Sequence, residues 1–253
     1  MTAAGPSALK EQLDELAGIL AQLGEPDWRR PTRCEGWNVA DVVLHLAQTN
    51  EMAIASLEDR YSEVVGLLTA GLPAASSVDE GAAAMVAKDR ESLSVVAVHD
   101  RWTRSAATLA TLAKSADPRR RVLWVAGQLS ARTLVTTRLA ETWIHTGDVA
   151  GAVGVILVPA ERLQEVARLA WRTLPYALDR AGRQLAGPVS FHLQGPTGAS
   201  WDFIPDGEAV TVIRGSGDEL CQVAARRVDP GDTNLSGEGP DASTVLELVR
   251  TYA

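Results

Sequence analysis

RLAETWIHTGDVAGAVG, residues Arg138–Gly154, carries Glu141 and His145 four positions apart in a stretch that otherwise reads as a helix. On an α-helix, positions i and i+4 share a face, with Cβ atoms roughly 5–6 Å apart. Both side chains therefore address one spot. That spot suits a metal ion, a proton-transfer pair or a buried hydrogen bond, and the spacing alone leaves all three open. Asp148 follows His145 by three residues and falls on the same face. There it can accept a hydrogen bond from the far ring nitrogen of His145 and fix its tautomer.

The pattern around this helix predicts more helices. Leu9, Leu13, Leu16, Leu20 and Leu23 recur at helical spacing between Ser7 and Gly24. Pro31 and Gly36 mark a loop. Asn38 is then the expected N-cap of a long helix ending at Gly71 and Pro73, with Asp41 favourably placed in its first turn. A further long helix is expected over Val78–Ala116, a fourth over Leu129–Val153, and a fifth starting at Pro159. The short run Arg119–Arg121 after Pro118 reads as a solvated loop. Long helices with short to moderate links favour an up-down bundle.

Near Gly187 the apolar period changes from helical to alternating. VSFHL, ASWDF and AVTVI read as strands of a small antiparallel sheet, and ELCQVAAR and ASTVLELVRTYA as helices. The expected organisation is mainly α: a helix bundle over residues 1–186 and a small α+β domain over 187–253.

The composition removes several function classes. A net charge of −8 over 253 residues repels a polyanion, and no basic block of binding size appears. Nucleic-acid binding is disfavoured. No apolar run approaches the ~20 residues needed to span a bilayer, and the N-terminus lacks the basic-then-apolar order of a signal peptide. Cys34 and Cys221 are read as two reduced thiols in a cytoplasmic protein.

Four histidines can be weighed singly. His99 and His192 read as a helix-surface and a strand residue. His45 lies inside the second long helix, flanked by Val42, Val43 and Leu46. Two core-facing histidines and a glutamate one turn from one of them suit a divalent ion held by His45, Glu141 and His145, with a fourth position open. A buried hydrogen-bonded cluster is the equal alternative.

Two blocks, PTRCEGWNVADVVLHLAQTNEMA (residues 31–53) and RLAETWIHTGDVAGAVG, resemble the mycothiol-dependent maleylpyruvate isomerase family of the DinB-like metal-binding superfamily. The first carries the Pro-Thr, Gly-Trp, Asp and His-Leu signature, the second a Glu-x-x-x-His-x-x-Asp helix. The C-terminal part from TGASWDF onward resembles a domain of one branch. The resemblance implies a four-helix bundle binding one divalent metal, usually zinc, through residues that fall on His45, Glu141 and His145. It also implies mycothiol as cosubstrate, bound to the metal as a thiolate that adds to, or displaces a group from, a small electrophile. An arginine of the C-terminal domain helps bind anionic substrate in the isomerase; Arg226 and Arg227 are the nearest candidates here. Arg132 and Arg138, nine and three residues before Glu141, are candidates to line the cofactor site. Surface or interhelical salt bridges are the alternative for all four arginines. Cys34, in a loop and far in sequence from any histidine, is not expected to act as a nucleophile.

The function so implied is a cytoplasmic thiol-activating enzyme, a mycothiol-dependent transferase or isomerase, working as a monomer or homodimer without nucleic-acid or membrane partners. Metal-assisted hydrolysis with Asp148 or a substrate group as base, and non-catalytic binding of a small molecule or metal, are the rival readings.

Overall fold

The computed structural model of the protein describes residues 4–125 and 127–251. Four long helices make the first core: α1 (Ala4–Leu20), α2 (Val39–Leu57), α5 (Val95–Ser115) and α6 (Ala131–Val153). Between them lie α3 (Tyr61–Leu68), α4 (Val78–Arg90) and a hairpin of β1 (Arg121–Trp124) and β2 (Gly127–Ser130). The expected leucine stripe of α1 is buried at Leu9, Leu13, Leu16 and Leu20. Each such side chain contributes about 1.5–3 kcal/mol relative to leaving it in water.

α1 packs on α5 and α6, and α2 packs on the same two helices. The order around the bundle is thus α1, α5, α2, α6. The links α1→α2 and α5→α6 therefore join helices across the bundle, where a simple up-down meander would join neighbours. α6 is buried on nearly every side, because it meets α1, α2 and the hairpin.

Two expected helices are each interrupted. The one from Asn38 to Gly71 breaks after Leu57, where Asp59 takes a left-handed conformation (φ 60°) that Asp tolerates better than most residues. The one over Val78–Ala116 breaks at residues 91–94, and Ser94 caps α5 by accepting from the Ala97 amide at 3.2 Å. Arg101 then ties three helices together. It chelates Glu51 of α2 with two 2.7 Å bonds and reaches Asp89 of α4 at 2.7 Å. The arginine run after Pro118 is not all solvated loop. Arg120 donates to the Leu57 carbonyl at the end of α2, and Arg121 opens β1. The hairpin buries Val122 and Trp124.

The chain packs as two compact units, one ending at Leu157 and the other beginning at Val158. The expected division at residue 186/187 follows a change of secondary structure, not a change of core. α7 (Leu163–Arg180) buries Leu163, Val166, Ala170, Leu174 and Leu178 and packs with the second unit's later elements. These are β3 (Val189–Gln194), β4 (Ser200–Phe203), β5 (Thr211–Ser216), α8 (Gly217–Ala224), β6 (Ser236–Glu238) and α9 (Ala242–Leu248); α7 contacts β4, α8 and α9.

The sheet order is β4-β3-β5-β6, and β3 and β5 run parallel. It is therefore mixed, where a wholly antiparallel sheet was expected. β4 folds back on one side of β3, and β5 joins β3 on the other. This aligns Phe203, Phe191 and Ile213 in one buried row. Trp171 of α7 stacks on Phe203 with ring centroids 6.0 Å apart. Trp201 packs so closely on Gly217 that a Cβ there would lie 2.2 Å from its ring. Both cysteines are free thiols, Cys221 buried in this unit's core. No helix among the described residues is long and apolar enough to cross a membrane.

Candidate metal centre

The segment before α2 is shaped by its own side chains. The Thr32 hydroxyl donates to the Trp37 carbonyl at 2.9 Å and accepts from the Cys34 amide at 3.2 Å. Gly36 supplies the left-handed turn (φ 74°) that lets the Trp37 amide return to the Cys34 carbonyl at 3.0 Å. Asn38 then caps α2 reciprocally with Asp41, each side chain accepting the other's amide at 3.0 Å. His45 follows seven residues after the cap, two turns into the helix. Trp37 packs on its ring, with centroids 5.1 Å apart.

α6 brings the other two side chains. His45 Nε2 lies 2.7 Å from Glu141 Oε1, and His145 Nε2 lies 3.4 Å from the same oxygen. One donor atom from each of the three residues falls within 4.8 Å of the others. Two donors about 2.1 Å from one ion at the tetrahedral angle stand about 3.4 Å apart. The spacing, and a donor set of two neutral nitrogens and a carboxylate, fit a divalent ion such as zinc with a position left open. His45 and Glu141 are buried; His145 is partly exposed.

Asp148 sits where the helical spacing predicts. His145 Nδ1 donates to its Oδ2 at 2.9 Å, which leaves Nε2 facing Glu141. Sequence reasoning missed Cys34. Its thiol donates to the same Asp148 oxygen at 3.2 Å and stands 3.9 Å from His145 Nδ1. The contact spans more than a hundred residues, and only the turn set by Thr32 and Gly36 delivers it.

The electrostatics follow from burial and pairing. Burial disfavours charge on Glu141, yet hydrogen bonds from His145 and His45 outweigh it and hold the carboxyl well below its usual range. Burial also opposes charge on His145, but bonds to Asp148, Cys34 and Glu141 hold its proton well above the usual imidazole range. For His45, burial prevails over Glu141 and lowers the value. The two rings are thus pushed in opposite directions, His145 toward the charged form and His45 toward the neutral one.

The arginines separate. Arg138 is buried beside the cluster and donates to Asn50 Oδ1 at 3.2 Å. Arg132 is exposed in the first turn of α6. Arg226, in the second unit, donates to the Glu247 carbonyl at 2.7 Å. Of the remaining histidines, His99 meets the edge of Trp28 and His192 pairs with Asp202 at 2.6 Å.

Fold and site together define a class: four-helix bundles whose facing helices aim imidazoles and a carboxylate at one point. The chain belongs to the family described as the mycothiol maleylpyruvate isomerase N-terminal domain, whose model matches residues 9–150. That span holds all three cluster residues and Asp148. Two uncharacterized proteins of Mycobacterium tuberculosis, from strains H37Rv and CDC 1551, are each 28% identical over 246 residues, covering 97% of this chain and 93% of theirs. Crystal structures of the mycothiol-dependent maleylpyruvate isomerase and of a histidine-to-alanine mutant of it share the fold. Each has a TM-score of 0.59, at 19% and 18% identity, over 96% of this chain and 99% of theirs.

Proposed function

We propose that the protein is a metal-dependent, thiol-activating enzyme that uses mycothiol in S-transfer to, or addition–elimination isomerisation of, a small electrophile. The observation that carries this is the convergence of His45 Nε2 and His145 Nε2 on one Glu141 oxygen. Family membership supports the thiol, and the same fold in a mycothiol-dependent isomerase supports the reaction class. When bound, a divalent ion such as zinc supplies an open position for the thiol sulfur and charge to stabilise it as thiolate.

The chain's own residues do the rest. His45, Glu141 and His145 hold the ion. Asp148 keeps His145 in the tautomer that offers Nε2, and Cys34 helps fix Asp148. Trp37 covers the His45 ring and limits water. Asp148 Oδ2 already accepts two hydrogen bonds, which argues against its serving as the base of a hydrolase. Free thiols at Cys34 and Cys221 fit a reducing, cytoplasmic setting.

Protein purified without chelator should carry close to one divalent ion per chain by elemental analysis. A His45→Ala, His145→Ala double variant should carry almost none; full retention there removes the assignment. Turnover of an electrophile panel should depend on added mycothiol, and turnover without any thiol would favour hydrolysis instead.

A further inference from the structure

Arg138 has surroundings that a structural arginine rarely has. Its side chain is 1% exposed, three residues before Glu141 on the same face of α6. Among the described residues its one hydrogen-bond partner is Asn50 Oδ1, and Nε has none. Asn50 Nδ2, also buried, is likewise without a partner. A cation taken out of water is costly unless a counter-charge repays it. Among the described residues no carboxylate lies within ion-pair distance of Arg138, and an amide oxygen repays little. The counter-charge it feels is that of Glu141, and its own field reaches His45 as well.

The charge balance gives this a consequence. Whatever balance the ligands and a divalent ion set, Arg138 adds one positive charge to it, and a neutral residue in its place removes that charge. Beside the buried His45 and Glu141, where charges are screened less than at the surface, that single charge shifts which fourth ligand is preferred. We infer that Arg138 is a charge-setting residue that biases the open position toward an anion, the ionised form of a thiol, over neutral water. The thiol's proton leaves to solvent and its electron pair goes to the metal. The inference rests on the metal assignment proposed above. It assigns Arg138 an effect on the ion's fourth ligand without contact between Arg138 and that ligand.

The sign of two measurements separates this from simple structural support. Cobalt(II) serves as the metal, with affinity read by chelator competition. The thiol probe is 2-mercaptoethanol, read by the sulfur-to-cobalt absorption band at one pH. Arg138→Met should bind cobalt roughly tenfold more tightly, since Glu141 loses its competitor, and the thiol roughly tenfold more weakly. Arg138→Lys should match the parent in both. If Arg138→Met weakens cobalt and thiol binding together, the residue only props the helices, and the inference fails. It also fails if neither changes. Should the methionine variant not fold, Arg138→Gln can keep a donor toward Asn50 while removing the charge, and the same comparison holds. A parent that binds no cobalt overturns the metal reading itself, and this inference with it.

Discussion

A single carboxylate oxygen organises the edge of the centre. Asp148 Oδ2 accepts from both His145 Nδ1 and the Cys34 thiol. Replacing Asp148 by Asn leaves the three donors in place but loosens the ring and lowers its basicity. Such losses cost about 10–100-fold in metal affinity. Asp148→Asn should therefore fall between the parent and His145→Ala in chelator competition. Equality with either one contradicts its supporting role. Cys34→Ala removes one hydrogen bond, about 1 kcal/mol, and should weaken metal by roughly fivefold, with Cys34→Ser near the parent. The raised proton affinity of His145 fixes a sign for pH. In the metal-free protein its stabilisation is full below the unfolded value of about 6.5 and is lost as pH rises through the higher folded value. Metal binding displaces that proton, so affinity should rise with pH across the same window, and calorimetry in buffers of different ionisation enthalpy should detect proton release. That Glu141, His145 and Asp148 share one face was legible in the sequence, because helical spacing fixes it within α6; His45, on α2, joined them only through its core-facing place and the family resemblance. Cys34 was not legible, because its contact depends on a turn geometry and a long-range packing that no local pattern encodes.

Among the elements, α2 has the most explicit start signal. Asn38 and Asp41 form a reciprocal cap, and Arg90 of α4 donates to Asp41 Oδ1 at 3.0 Å. The cap fixes the first turn two turns before His45 and anchors the loop bearing Cys34 and Trp37. Asn38→Ala should cost about 1 kcal/mol, lowering the first unit's unfolding midpoint by roughly 2–4 °C, and Asn38→Ser should restore most of it. No shift in the alanine variant would mean that tertiary contacts alone hold the loop. This start was readable because the cap residues stand in order before an apolar run. The break at Asp59 was not, since Leu57, Glu58 and Arg60 favour a helix and the interruption is a tertiary choice, whereas Ser94 does carry a signal, a serine cap before the apolar run Val95–Val98. The β1–β2 hairpin escaped for a related reason: four-residue strands carry too little alternation to stand out beside an arginine run.

At the scale of the whole molecule, the division into units tests what sets a core. The alternating pattern after Gly187 marks where strands begin, and all three strands read there exist within three residues of their expected bounds. It does not mark where the second core begins, because α7 buries its apolar stripe with that unit. The consequence is a cleavage site. α6 ends at Val153, Gly154 takes the left-handed conformation that caps it, and α7 does not start until Leu163. Between them, Ile156 is 91% and Val158 77% exposed. A protease that cuts beside bulky aliphatic residues, such as thermolysin, needs an accessible segment outside helix and strand, and this is such a segment. Brief digestion should cut first at residues 154–158 and release an N-terminal fragment containing His45, Glu141, His145 and Asp148. Because every proposed ligand and its support lies before Leu157, that fragment should still bind one cobalt ion with the spectrum of the intact protein. A first cut at 183–190 instead, with α7 left on the bundle, would restore the boundary that periodicity alone suggests. A fragment cut at 154–158 that folds but binds no cobalt would show that residues beyond Leu157 complete the centre.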